Sequence, residues 1–236
     1  MRLKSPSPPF APLSPIRSLH DVRQLEARPL AEALPVQSTY EIFVNSAAAF
    51  GDKTALTFLP SADPAAEPIR WSYAQLLTGI HQTANLLHHL GVGPQDAVAV
   101  LLPGCLEYHL ALWGGEAAGI VQPLNPMLTD DKLVAMMTLA RAKVLVAYGA
   151  EGDVGYWSKA LRLRERVPTL RTLLRVAPHD EAPEQAAVLP EGVLALSERH
   201  QYPGDRLVSG RRIAATDMAA YFHTGGTTGA PKLARH

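Results

Sequence analysis

The sequence predicts an α/β fold, a mostly parallel sheet layered with helices, and three observations carry that reading. Between residues 96 and 177, short apolar runs of strand length (97–102, 119–123, 143–148 and 172–177) alternate with segments of helical spacing. The runs are apolar at most positions, which suits strands buried on both faces by crossover helices. The links between them are short, as a β-α-β-α-β succession requires. The 236 residues, 47% of them hydrophobic, are enough to bury a sizeable core without a metal or disulfide staple.

Charge and cysteine content narrow the function classes. Lys+Arg and Asp+Glu balance at 22 each, which argues against a general nucleic-acid binder and leaves room for a local phosphate site. Cys105 is the single cysteine; it excludes an internal disulfide and a cysteine-rich zinc site and fits a reducing compartment. No stretch approaches the roughly 18 apolar residues of a membrane helix, so the expectation is a cytoplasmic chain with no membrane span.

Taken in order, the chain opens with five prolines, Pro6, Pro8, Pro9, Pro12 and Pro15, in its first fifteen residues. They deny helix and central strand alike, because proline has no amide donor, and residues 1–37 are expected to form a mobile arm. Order is expected from Ser38, where Ser38 and Glu41 have the spacing of a capping box. Tyr40, Phe43, Ala47 and Phe50 then share a helical face that ends at Gly51 and Asp52. Residues 53–59 and 68–71 read as paired strands across a proline-bearing loop. Ser72 and Gln75 form a second capping box, opening a helix that buries Leu76, Ile80, Ala84 and Leu87 and stops at Gly91. His81, His88 and His89 on this helix lack the spacing and companions of a metal set and read as solvated or partly packed; no metal site is expected. Beyond the first apolar run, Gly114 and Gly115 permit a close helix approach within 106–118. Thr129 caps the next helix, with Asp130 and Asp131 in its positive first turn. Residues 156–166 are helical, 178–190 read as an exposed acidic loop, and 204–212, carrying Arg206, Arg211 and Arg212, as a solvated link.

The chemistry lies near the carboxyl end. An apolar run, 218–222, leads into His223-Thr224-Gly225-Gly226-Thr227-Thr228-Gly229-Ala230-Pro231-Lys232. Three glycines let backbone amides converge on one point without Cβ interference. Thr224, Thr227 and Thr228 add hydroxyls, Lys232 adds a full charge, and Pro231 stiffens the exit. Such a cradle suits a polyphosphate, whereas a plain turn needs neither the threonines nor the lysine. A Walker A loop is excluded because Pro231 stands where glycine must precede lysine. No dinucleotide fingerprint and no Gly-x-Ser-x-Gly elbow is present.

Residues 221–232 resemble the signature phosphate loop of the adenylate-forming (AMP-binding) superfamily, an aromatic residue followed by Thr-Ser-Gly-(Ser/Thr)-Thr-Gly-x-Pro-Lys. Gly225 replaces the usual serine, and Leu233 follows the lysine where a small residue is more common. Three further segments, 71–76, 91–100 and 118–126, resemble the family's early helix entry, its Gly-Val-Gly-Pro turn and strand, and its Pro-Leu-Asn-Pro segment. The resemblance implies the N-terminal portion of that family's large domain, incomplete, over residues 38–236. It also implies a ligase of the acyl-CoA synthetase type. A carboxylic acid, most simply a fatty acid, attacks ATP to give an acyl-adenylate, and a thiol, usually CoA, then displaces AMP. Thr224, Gly225, Gly226, Thr227, Thr228, Gly229 and Lys232 are then the ATP-binding residues and Lys232 the catalytic one, while Mg2+ and CoA are implied by the family alone. The family's adenine, ribose, magnesium and acyl-pocket residues come after this loop, so the chain alone is expected to be inactive. The alternative is a non-catalytic phosphate-binding or vestigial fragment.

Overall fold

Five strands are hydrogen-bonded side by side, all parallel, at the centre of the computed structural model, which describes residues 15–29, 32, 35–149, 155–177, 189–224 and 232–236. In chain order the described helices are α1 (Leu19–Glu26), α2 (Thr39–Phe50), α3 (Tyr73–His89), α4 (Leu106–Ala118), α5 (Asp130–Ala140) and α6 (Tyr156–Arg166), with a 3₁₀ turn at Leu196–Gln201. The strands are β1 (Thr54–Phe58), β2 (Ile69–Ser72), β3 (Ala97–Leu101), β4 (Ile120–Pro123), β5 (Ala142–Tyr148), β6 (Thr172–Val176), β7 (Val193–Ala195), β8 (Tyr221–Thr224) and β9 (Lys232–Arg235). The central sheet has the order β4-β3-β5-β6-β7, while β1-β2 and β8-β9 are separate antiparallel hairpins.

The predicted α/β class holds, and the alternation in β3 shows how the core divides. Val98 and Val100 face one cluster with Leu76, Ile80, Leu87 and Leu110 of α3 and α4. Ala99 and Leu101 face the other, with Leu133, Met136 and Met137 of α5 and Ala160 and Leu163 of α6. Successive strand residues point to opposite faces, so the uninterrupted apolar run follows from helices on both sides. The chain passes from β3 through α4 to β4, then crosses back through α5 to β5 on the far side of β3. That reversal makes β3 the switch point of a doubly wound sheet.

The helix boundaries follow local chemistry. Both halves of the Ser72–Gln75 capping box are made: Gln75 N–H donates to Ser72 Oγ at 3.2 Å and Ser72 N–H to Gln75 Oε1 at 2.8 Å. Gly91 stops the helix with φ +81°, which an L side chain resists. At Ser38 only half of the expected box forms: Glu41 N–H donates to Ser38 Oγ, while the Glu41 carboxylate accepts from Gln37 N–H. Thr129 stands at the N-cap of α5 without a side-chain cap bond. A Cβ on Gly114 would lie 2.8 Å from Thr83, so the expected close approach of α4 to α3 is real.

Two features are absent from the sequence reading. β7, three residues long, extends the sheet beyond β6, and its shortness leaves no periodicity to detect. Within the expected arm, α1 carries a complete capping box between Ser18 and Asp21, and none of its residues is buried. Residues 178–188, read as most of an acidic loop, lie outside the described residues.

Candidate functional site

The β8-β9 hairpin carries the two described ends of the glycine-threonine segment. Its ladder pairs Tyr221 with Arg235, Phe222 with Ala234, His223 with Leu233 and Thr224 with Lys232. Thr224 and Lys232 are therefore the last pair before the loop, and both are exposed. Directly opposed residues of an antiparallel ladder project on the same side, so the side chains of Thr224 and Lys232 share one face of the hairpin. Gly225, Gly226, Thr227, Thr228, Gly229 and Pro231 lie outside the described residues.

The hairpin is tied to the sheet through its base. Ala220 forms a parallel bridge with Val121 of β4, whose N–H donates to Ala219 C=O at 2.9 Å. Strand β8 thus runs in the same direction as β4, with Thr224 toward the carboxyl ends of the sheet, the side on which open α/β sheets place ligands. His236 closes the base: its C=O accepts from Ala219 and Ala220 N–H at 2.8 and 3.2 Å, and its N–H donates back to Ala220 C=O at 3.0 Å. Leu233, the departure from the expected small residue, packs against the core cluster on the α5 face. Its bulk has a use, since it seats the hairpin on that cluster.

Beneath the hairpin lies a group that sequence reasoning assigned to a solvated link. The Arg211 side chain is 7% exposed. Its Nη1 is shared among the C=O groups of Glu116, Ala117 and Gly119, at 3.2, 3.4 and 3.4 Å, at the end of α4, and its Nη2 donates to Asp217 Oδ2 at 3.3 Å. A cation suits the negative end of a helix whose last carbonyls have no intrahelical partner. The linear signal available was weak: an arginine six residues before an aspartate that precedes an apolar run. By contrast Arg206 is exposed and pairs with its neighbour Asp205.

Arg211 and Asp217 line a cavity of about 140 Å³ together with Thr39, Tyr40, Glu116 and His236. Thr39 Oγ1 donates to Glu116 Oε2 at 2.6 Å. Burial lifts the Glu116 carboxyl above its usual range, and the Thr39 hydrogen bond opposes that shift. A second cavity of about 100 Å³, bounded by Leu56, Phe58, Cys105, Tyr108 and His109, lies between the β1-β2 hairpin and the start of α4. Burial pushes the Cys105 thiol up to about 11, so the thiolate a nucleophile needs is scarce there near neutrality.

The expectation for the α3 histidines needs one correction. His81 is 3% exposed, with Nδ1 2.9 Å from Gly204 C=O and Nε2 2.9 Å from Tyr40 Oη. A carbonyl only accepts, so Nδ1–H donates to Gly204 C=O, and Nε2 is left to pair with the Tyr40 hydroxyl. The helix face that sequence periodicity left open is covered by residues 203–208, which also accept from and donate to Asn85. Among the described residues no group of three or more His, Cys, Asp or Glu side chains is placed to hold a metal ion, and no helix is long and apolar enough to cross a membrane.

Comparison with known proteins places this architecture. The family model described as AMP-binding enzyme matches residues 43–236. The marinolic acid–CoA ligase of Pseudoalteromonas sp. (strain SANK 73390) is 30% identical over 94% of this chain and 32% of its own length. The long-chain fatty acid transport protein 1 of Mus musculus is 34% identical over 72% of this chain and 25% of its own. Among solved structures, the anthranilate CoA ligase AuaEII in complex with anthranoyl-AMP superposes with a TM-score of 0.69 at 22% identity, over 87% of this chain and 36% of that one. The acetoacetyl-CoA synthetase from Streptomyces lividans gives 0.68 at 21% identity, over 83% and 29%. The chain thus spans about a third or less of the relatives it matches. Four sequence segments in family order, a doubly wound sheet shared with adenylate-forming enzymes and a family match over most of the residues lead to one statement: this chain belongs to the AMP-binding enzyme family.

Proposed function

We propose that the β8-β9 hairpin holds the phosphate tail of ATP, and that the chain is the amino-terminal part of an ATP-dependent acid–thiol ligase. The reaction is activation of a carboxylate as its acyl-adenylate, followed by transfer to a thiol such as CoA. One observation carries this reading: Thr224 and Lys232 are opposed and exposed at the last pair of a hairpin that runs alongside β4 toward the carboxyl ends of the sheet. The amides and hydroxyls of Gly225, Gly226, Thr227, Thr228 and Gly229 would surround the β- and γ-phosphates, and Lys232 would offset charge developing on the leaving pyrophosphate. Mg2+, implied by the family alone, would be held largely by the phosphates of ATP.

A fatty acid is the favoured carboxylate. The long-chain fatty acid transport protein among the relatives supports a long acyl chain. The chain alone is expected to carry no adenylation activity, because the phosphate cradle is one part of a site whose remaining parts follow it in the family.

Titration of the 236-residue chain with tripolyphosphate and with ATP tests the cradle. Binding of both with similar affinity is expected, and Lys232→Ala should weaken it by about ten- to a hundredfold, the worth of one charge-assisted hydrogen bond. No binding, or binding indifferent to Lys232, would reject the phosphate assignment. Carboxylate-dependent ATP–pyrophosphate exchange by the chain alone would show that inactivity was wrongly expected.

A further inference from the structure

We infer that Arg211 is a positioning residue for the phosphate hairpin, coupling the end of α4 to the hairpin base; the inference rests on the phosphate reading above. Arg211 spans two structural units that no other described side chain joins by hydrogen bonds. One arm of its guanidinium grips three carbonyls at the end of α4, the helix that leads into β4. The other holds Asp217, three residues before the Ala220–Val121 bridge. Asp217 is itself locked, its Oδ2 accepting from Ala214 N–H at 3.3 Å and its N–H donating to Ala214 C=O at 3.0 Å. Helix end, link and hairpin base therefore move together.

Geometry gives this coupling leverage. From Ala220 to Thr224 is four strand residues, about 13 Å at the usual rise, so a tilt of about 10° at the base moves the mouth of the loop by about 2 Å. Displacements near 1 Å are enough to spoil an aligned catalytic or binding geometry. Only a planar fork reaches both units at once, whereas a lysine ammonium, as a single point, serves one or the other.

Two readouts on the 236-residue chain test the inference, tripolyphosphate affinity and residue-resolved amide exchange, each on wild type, Arg211→Lys, Arg211→Ala and Asp217→Asn. Arg211→Lys and Asp217→Asn keep part of the network and serve if Arg211→Ala does not fold. The expected result is about a tenfold loss of affinity in Arg211→Lys and Asp217→Asn. Faster exchange should be confined to Val121, residues 219–224 and 232–236, with β5 unchanged. A purely structural role would speed exchange across the sheet or nowhere in particular, and that outcome, or unaltered hairpin exchange with wild-type affinity, overturns the inference. If the wild type binds no tripolyphosphate, the phosphate reading fails, while exchange changes confined to the hairpin still support Arg211 as its anchor.

Discussion

His81 is a polar side chain closed off from solvent with both ring nitrogens occupied, by Tyr40 and by the Gly204 carbonyl. A buried donor or acceptor stripped of its partner costs about 1–3 kcal/mol. His81→Phe, which strands both, is expected to destabilise the fold by about 2–3 kcal/mol and lower Tm by roughly 5–10 °C in a thermal melt. An unchanged Tm would mean that the pair is not made in solution. Glu116 behaves in the opposite sense. Its carboxyl is raised on folding, chiefly by burial, so its contribution is fully present below the ordinary value of 4.5 and is lost as pH rises through the folded pKa. Glu116→Gln leaves an acceptor for Thr39 and removes the charge. It should stabilise the chain near neutrality and have little effect at acid pH, as a comparison of melts across pH would show. Both residues were visible in the sequence, but neither environment was: His81 was read as solvated or partly packed, and its partners lie 41 residues earlier and 123 residues later.

Helix α3 owes its start to its own neighbours. Ser72 and Gln75 satisfy first-turn amides reciprocally, and Ser72→Ala should cost about 1 kcal/mol. Urea unfolding should show a lower midpoint with an unchanged slope, since the surface exposed on unfolding is the same; a change below about 0.3 kcal/mol would show that packing alone holds the start of the helix. The same locality explains why α3, α4 and α6 were legible nearly to the residue, and why β3 through β6 were legible as apolar runs. It also explains the misses. A three-residue strand such as β7 carries no period. A capping box such as that at Ser38 is decided by which of two adjacent amides, Gln37 or Ser38, the Glu41 carboxylate reaches.

The two core clusters lie on opposite faces of one sheet and share its strands, so neither face can lose its packing without exposing the other. Unfolding is therefore expected in a single transition. Trp113 packs on the cluster beneath α3 and α4, and Trp157 on the cluster beneath α6. Variants retaining Trp113 alone or Trp157 alone, with Trp71 also replaced, should give coincident fluorescence midpoints in denaturant. Separated midpoints would show that the two layers come apart independently.

Sequence by itself determined the fold class, most elements and the likeness to AMP-binding enzymes. These depend on residues within a few positions of one another, where hydrophobic period, cap spacing and backbone freedom act directly. Tertiary structure alone decided the strand order, the parallel seating of the hairpin beside β4, the burial of His81 and the grip of Arg211 on the end of α4. Each joins groups tens to more than a hundred residues apart, and the free energy that selects such a contact comes from water excluded across the whole molecule, which no local pattern records.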